Sequence, residues 1–244
     1  MPLPQMKVSH ERFELPQGWM HYVQVGHQGR PLVCLHGGTG NWTNYRPLIR
    51  HLAVDHQIWA PEIRGHGRTP WQEGTTIESI YDDLIRFLAT LPRPFVLLSH
   101  SFGGYFGVRL AAEHPDWVSH LVVMNSARVI PRSLPFRVLR WITPLCGLLA
   151  RPEGVISTGS RVTRLLIDEV IPGWDLQPFY PQVRCPSMVI LGRLDPLIPL
   201  ALGRQSAGQL GARRLEVLPW GMHVAMWERP GTIHRWLREF LDQA

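Results

Sequence analysis

The sequence predicts an α/β domain built on a mostly parallel, doubly wound sheet. Its 244 residues suit one domain of that kind and can bury a large core. Short apolar runs alternate with amphipathic helical stretches along the chain. No internal repeat, low-complexity linker or charge block divides the chain into independent halves. Hydrophobic residues make up 45% and charged residues 18%, the balance of a globular protein rather than a disordered one.

Taken in order, Pro31–Leu35 is the first apolar run of strand type, and Thr43–Leu52 reads as the helix after it. A helix over Thr76–Leu91 starts after Gly74-Thr75 and carries Ile77, Ile80, Tyr81, Leu84, Leu88 and Leu91 at helical spacing. Phe95–Ser99 is a second strand, and the helix Phe102–His114 ends because Pro115 cannot continue it. Leu121–Asn125 and Ser187–Gly192 are further strands, Leu215–Leu218 is strand-like, and the last helix, Thr232–Leu241, puts Ile233, Trp236, Leu237 and Phe240 on one stripe. Right-handed crossovers between parallel strands place ligand sites beyond the strands' carboxyl ends. Candidate catalytic residues must therefore follow strands.

One segment breaks the alternation. Between Val129 and Pro181 no strand is followed by a crossover helix. Ser133–Ala150 has an amphipathic helical pattern, with Leu134, Phe136, Leu139, Trp141, Ile142, Leu145 and Leu149, and Val162–Val170 suggests a second helix. The expected organisation is a core of residues 1–128 and 182–244, with residues 129–181 inserted as a helical lid over the carboxyl edge of the sheet.

Composition also excludes. No stretch of about 18 uncharged apolar residues occurs, so no membrane partner is expected. Met1–His10 lacks the apolar core of a signal peptide, and Cys34, Cys146 and Cys185 are too widely spaced for a disulfide framework or zinc site, so a cytoplasmic location is expected. The net charge of +6 comes from scattered residues, mostly Arg, with no basic helical stripe, so no nucleic-acid partner is expected. The histidines show no ligand pairing, so no metal is expected. Trp42, Trp141, Trp174 and Trp227 could line a pocket, although core packing accounts for most such residues.

The chemistry sits at strand ends. Phe95–Ser99 runs into His100-Ser101-Phe102-Gly103-Gly104 and then a helix. A serine at such a turn projects its hydroxyl above the sheet on strained backbone, and small neighbours two residues away let strand and helix approach. A hydroxyl needs a base to become a nucleophile. His223, past Leu215–Leu218, can supply it, and Asp195, in Gly192-Arg193-Leu194-Asp195 after Ser187–Leu191, can orient that imidazole. The order Ser, Asp, His suits this architecture. Backbone N–H groups of Phe102 and Gly38 are the candidate oxyanion hole, with Thr39 the second choice in His36-Gly37-Gly38-Thr39-Gly40. A phosphate-cradling loop there would need a Lys-Ser/Thr ending or dinucleotide glycine spacing, and has neither.

His36-Gly37-Gly38, Pro61-Glu62-Ile63-Arg64-Gly65-His66-Gly67-Arg68-Thr69, Ser99–Gly104, Gly192–Asp195 and His223 with Glu228 and Pro230 together resemble the successive signatures of the α/β-hydrolase superfamily. The resemblance covers nearly the whole chain outside the lid. It implies the α/β-hydrolase fold with a short lid after the sixth strand, no cofactor, and hydrolysis of a small or medium carboxylic ester through a Ser101 acyl-enzyme. It also implies that Arg64-Gly65-His66-Gly67 and His36 are structural. Ser99 replaces the usual Gly, and Glu62 stands where Asp is common. Asn125 rules out an alternative acid position, and Ser101 itself argues against dehalogenases and epoxide hydrolases of this fold, which use Asp there.

From Val129 to Arg164 six arginines, Arg132, Arg137, Arg140, Arg151, Arg161 and Arg164, face one acid, Glu153, an excess of five positive charges. One reading is a lid that recruits an acidic ester or an acidic carrier protein through Arg137 and Arg140, as in esterases acting on acyl-carrier-bound methyl esters. The plainer reading, preferred here, is the solvated face of an amphipathic helix. The lid's apolar face suggests a hydrophobic pocket, with Thr39 and Trp141 as substrate contacts. The same triad can serve lactone opening, perhydrolysis, C–C cleavage or acyl transfer, and a ligand-binding receptor can keep the fold.

Overall fold

The computed structural model describes residues 6–129, 154 and 156–243. The helical pattern over Ser133–Ala150, with Arg137, Arg140 and Trp141, lies outside the described residues, as do Arg132 and Arg151.

Eight strands form one sheet: β1 (Val8–Glu14), β2 (Trp19–Val25), β3 (Arg30–Leu35), β4 (His56–Pro61), β5 (Phe95–His100), β6 (Val118–Met124), β7 (Ser187–Gly192) and β8 (Arg214–Leu218). Their spatial order is β1-β2-β4-β3-β5-β6-β7-β8. All pairs from β4 to β8 are parallel, while β2 runs antiparallel to both β1 and β4. This is the α/β-hydrolase fold. The parallel strands β3, β5, β6 and β7 lie where the apolar runs place them, and their fully buried interiors explain why they read as near-continuous hydrophobic stretches. The β1–β2 hairpin and β4 carry no such signature and extend the sheet beyond the sequence reading.

The sheet divides its side chains between two cores. Val33, Leu35 and Leu97 face helices α2 (Ile77–Leu88) and α3 (Phe102–Glu113), joined by Leu200–Leu210. Leu32, Cys34, Val96 and Leu98 face α1 (Arg46–Leu52) and the helix Pro230–Leu241. Alternation along each strand makes this division. Helix α2 starts one residue later than the expected Thr76–Leu91 because Thr76 caps it, exchanging hydrogen bonds with Ser79 in a capping box, and it ends at Leu88. Between β6 and β7, the described chain is helical from Ser160 to Gly173, with a wider π turn at Leu166–Val170. No helix among the described residues is long and apolar enough to cross a membrane.

The missing glycine at position 99 has a structural answer. Ser99 is fully buried, and its hydroxyl donates to the Val122 carbonyl (3.1 Å). The room it takes is surrendered by Gly107 on α3, where an added Cβ would come within 2.6 Å of the Ser99 Cβ. Gly107→Ala should therefore cost about 1–3 kcal/mol, and much less in a Ser99→Gly background. Urea unfolding of the four chains of this double-mutant cycle measures the coupling, and strictly additive costs would contradict the pairing.

Candidate active site

Ser101 sits between β5 and α3 at φ 47° and ψ −114°, a conformation that L residues adopt only when their surroundings enforce it. The turn is held by the Ser101 N–H on the Met124 carbonyl (2.9 Å) and by the Ser126 hydroxyl on the Ser101 carbonyl (3.0 Å). Gly103 lets α3 lie against β3, since a Cβ there would stand 2.5 Å from the Leu35 carbonyl oxygen.

The structure brings Ser101, His223 and Asp195 together. His223 Nε2 is 3.0 Å from Ser101 Oγ, and His223 Nδ1 is 2.8 Å from Asp195 Oδ2. With Nδ1–H donating to the carboxylate, Nε2 is left to accept from the serine hydroxyl. The other Asp195 oxygen accepts the Leu197 and Ile198 N–H groups (2.8 and 3.0 Å). Burial pushes the Asp195 carboxyl up, but the hydrogen bond and charge of His223 and these two amides outweigh it, leaving the group below its ordinary range.

Asn125 holds this assembly in a way the sequence reading missed. Its Nδ2 donates to Asp195 Oδ2 (2.8 Å) and to the Met222 carbonyl (2.5 Å), while its Oδ1 accepts the Gly192 N–H (3.2 Å). It thus ties the acid's loop to the histidine's loop from the end of β6, on a left-handed backbone (φ 45°) that asparagine tolerates. The available signal was an amide residue at a strand's carboxyl end, in line with the other site residues. Glu228 clasps the histidine's loop from the other side, accepting the Met222 and Val224 N–H groups (2.7 and 3.2 Å). His100 lies beneath, its Nε2 2.7 Å from the His223 carbonyl.

Gly38 and Phe102 face each other, since a Cβ on Gly38 would lie 3.6 Å from that of Phe102. Neither N–H has a partner among the described residues. Thr39, the second choice, has its N–H engaged by His66 Nε2 (3.2 Å). His36 accepts the Ile63 N–H at Nε2 (2.9 Å) and donates from Nδ1 to the Gly37 carbonyl (2.8 Å), which fixes the loop. Arg64 is spent on a buried ion pair with Asp83 (2.6 Å), and Glu62 on His21 (2.8 Å).

Above Ser101 opens a small apolar cavity that reaches out to solvent. Leu166, Ile167, Ile171 and Trp174 form one wall, Leu197 and Ile198 another, and Thr39 is at its edge. The Trp174 Nε1–H is satisfied by the Ala127 carbonyl (3.1 Å), so the ring presents an apolar face. Of the other tryptophans, Trp42 is buried beside His10 and Trp227 is exposed. Among the described residues no group of three or more His, Cys, Asp or Glu is placed to hold a metal ion.

Three buried imidazoles surround the site. Burial holds His36 well below its ordinary value, helped by the nearby His66. Burial alone takes His66 down to about 4, and burial with His223 takes His100 down to about 3. All three are depressed relative to about 6.5 in the unfolded chain. Their contribution to stability is complete above pH 6.5 and is lost as pH falls toward the folded values, before Asp195 begins to titrate. The urea midpoint should drop steadily from pH 6.5 to 4.5 with the slope of unfolding unchanged; a flat profile would mean these rings are not held neutral.

Comparison with known proteins agrees with the fold. The sequence pattern of the alpha/beta hydrolase fold family matches residues 30–143. Lipase LipV of Mycobacterium tuberculosis is 36% identical over 110 residues, 44% of this chain and 42% of that protein, so the chain matches less than half of that relative's length. A pimeloyl-[acyl-carrier protein] methyl ester esterase of Legionella pneumophila is 24% identical over 201 residues, 74% of this chain and 81% of the other. The crystal structure of the enol-lactonase from Burkholderia xenovorans superimposes with a TM-score of 0.79 at 24% identity, over 95% of this chain and 100% of that one. Its eight-stranded sheet, its strand order and these matches agree on the α/β-hydrolase fold for this chain.

Proposed function

We propose that this chain is a serine hydrolase that cleaves a small or medium, predominantly apolar carboxylic ester. The observation that carries the reading is the unbroken relay Ser101–His223–Asp195, at 3.0 and 2.8 Å, on the floor of an apolar cavity. Ser101 Oγ attacks the ester carbonyl while His223 Nε2 takes its proton. The oxyanion is received by the Gly38 and Phe102 N–H groups, which carry no other bond to lose. His223 then hands the proton to the leaving alkoxide, and the same imidazole activates water to hydrolyse the acyl-enzyme. Asp195 stays ionised throughout and stabilises the imidazolium form of His223.

An uncharged substrate is favoured by the walls. The described lining carries no Lys, Arg, Asp or Glu, and Arg161 is paired with Glu73 at the surface (2.9 Å). Turnover that falls with salt or on replacing Arg137 and Arg140 would restore the acidic-substrate reading. A lactone makes the same demands of the triad, and an enol-lactonase is among the structural relatives.

A fluorophosphonate probe should label Ser101, and Ser101→Ala should reduce ester turnover by at least 10³-fold. An unlabelled Ser101 would end the acyl-enzyme reading. A p-nitrophenyl ester series should peak at short to medium acyl length, and hydrolysis of a lactone faster than any ester would shift the assignment to that class. Asn125→Ala should lower kcat by about 10–100-fold with KM little changed, on the scale of lost supporting contacts in other sites; an unaltered kcat would show that Asp195 needs no such brace.

A further inference from the structure

The described surface exposes six large hydrophobic side chains: Val54, Leu194, Leu215, Trp220, Met222 and Trp227. Four of them, Leu194 (50% exposed), Trp220 (74%), Met222 (52%) and Trp227 (43%), fall on the segments that follow β7 and β8 and carry Asp195 and His223. These segments are laced together: Arg193 N–H donates to the Leu218 carbonyl (3.0 Å), Leu194 N–H to the Gly221 carbonyl (2.9 Å), and Met222 N–H to the Glu228 carboxylate (2.7 Å). Folding does not demand this exposure. Leu218, Ala225 and Met226 from the same stretch are buried in the core, while Trp220, Met222 and Trp227 are left outside.

Charge on the rim is one-sided. Arg193 and Arg229 are exposed, and neither is paired with a carboxylate among the described residues. The acids of these segments are turned inward: Asp195 is buried against His223, and both Glu228 oxygens hold backbone N–H groups. Two tryptophans, a leucine and a methionine on the same segments as two guanidinium groups without a carboxylate partner among the described residues suit a boundary that is apolar on one side and negatively charged on the other. Indole rings settle at such boundaries, and exposed basic side chains are attracted to anionic headgroups.

We propose that this rim is a docking surface for an anionic lipid–water interface, seated beside the mouth of the cavity so that an apolar ester passes to Ser101 without crossing bulk water. The docking itself does not rest on the hydrolytic reading; only the delivery of substrate does. Four partly exposed side chains offer roughly a few hundred Å², the scale of an interaction patch but below the ~800 Å² per partner of a stable dimer. The absence of a spanning helix does not bear on such peripheral contact.

The test is co-sedimentation of the whole chain with vesicles of phosphatidylcholine alone and of phosphatidylcholine with phosphatidylglycerol at 4:1, at low and high salt. The anionic vesicles should retain at least tenfold more protein, with the excess lost at high salt. Trp220→Ser with Trp227→Ser should cut retention at least tenfold while leaving turnover of a water-soluble short ester unchanged, and Arg193→Gln with Arg229→Gln should remove the preference for phosphatidylglycerol. If the double tryptophan change unfolds the chain, Trp220→Ser alone at the most exposed position should still cut retention at least threefold. Failure of the unaltered chain to bind anionic vesicles, or equal binding by the tryptophan variants, would overturn the proposal. So would light scattering that finds a dimer converted to monomer by the tryptophan changes, which would assign the patch to a second copy of this chain. Loss of the hydrolytic reading would leave vesicle binding in place, so the two failures are distinguishable.

Discussion

The site depends on one strained residue. Ser101 holds a backbone conformation that costs about 1–3 kcal/mol, and the cost is met from the strands on either side of β5. β6 receives the Ser101 N–H at Met124, the turn after it returns the Ser126 hydroxyl to the Ser101 carbonyl, and the end of β3 brings backbone carbonyls against Gly103. Because α3 must lie this close to β3, the glycine loop after β3 is carried to the same point as the start of α3. Two free N–H groups thus meet above the serine as a consequence of the turn. The Ser99–Gly107 contact belongs to the same constraint: the small residue required where strand and helix cross can stand on either side of the crossing.

Ser101, Asp195 and His223 were legible in the sequence because each follows an apolar run and is bracketed by turn residues. The strands missed were those whose environment differs. β1 is an edge strand with most of its side chains in solvent, so Val-Ser-His-Glu-Arg-Phe-Glu shows no run. β4 has Ile58-Trp59-Ala60 between a buried histidine and Pro61, too short a run to stand out. Asn125 was noticed only as an acid's absence, since its three hydrogen bonds reach residues 67, 70 and 97 positions away in the chain. Pairings of that range, like Glu62 with His21, leave no local pattern.

The stretch between β6 and β7 is bound to the catalytic side of the sheet by more than apolar contact. The Ser157 N–H donates to the Thr39 carbonyl (2.7 Å), its hydroxyl donates to the Gly40 carbonyl (2.6 Å), and it accepts the Gly67 N–H (3.0 Å). Asn41 and Thr43 both reach the Gly154 carbonyl. The glycine loop is therefore pinned by His36 and His66 from the sheet side and by Ser157 from the stretch between β6 and β7. A change in this stretch would be felt at the glycine loop through Ser157 and through the Gly154 carbonyl.

A cavity walled by apolar side chains strengthens every dipole aimed into it and penalises every unpaired charge. The residues around Ser101 follow both halves of that rule. Three nearby imidazoles are held neutral by burial, the buried arginine is matched to Asp83, and the carboxylate of Asp195 is surrounded by donors. The chain's excess of positive charge is thereby excluded from the described cavity and left for the surface. Inside, the described lining offers apolar side chains, with the Gly38 and Phe102 N–H groups, unpartnered among the described residues, as donors beside Ser101. Outside, Arg193, Arg229, Trp220 and Trp227 are exposed on the same segments that carry Asp195 and His223, so the surface of these segments can vary while the buried partners of Asp195 stay as they are.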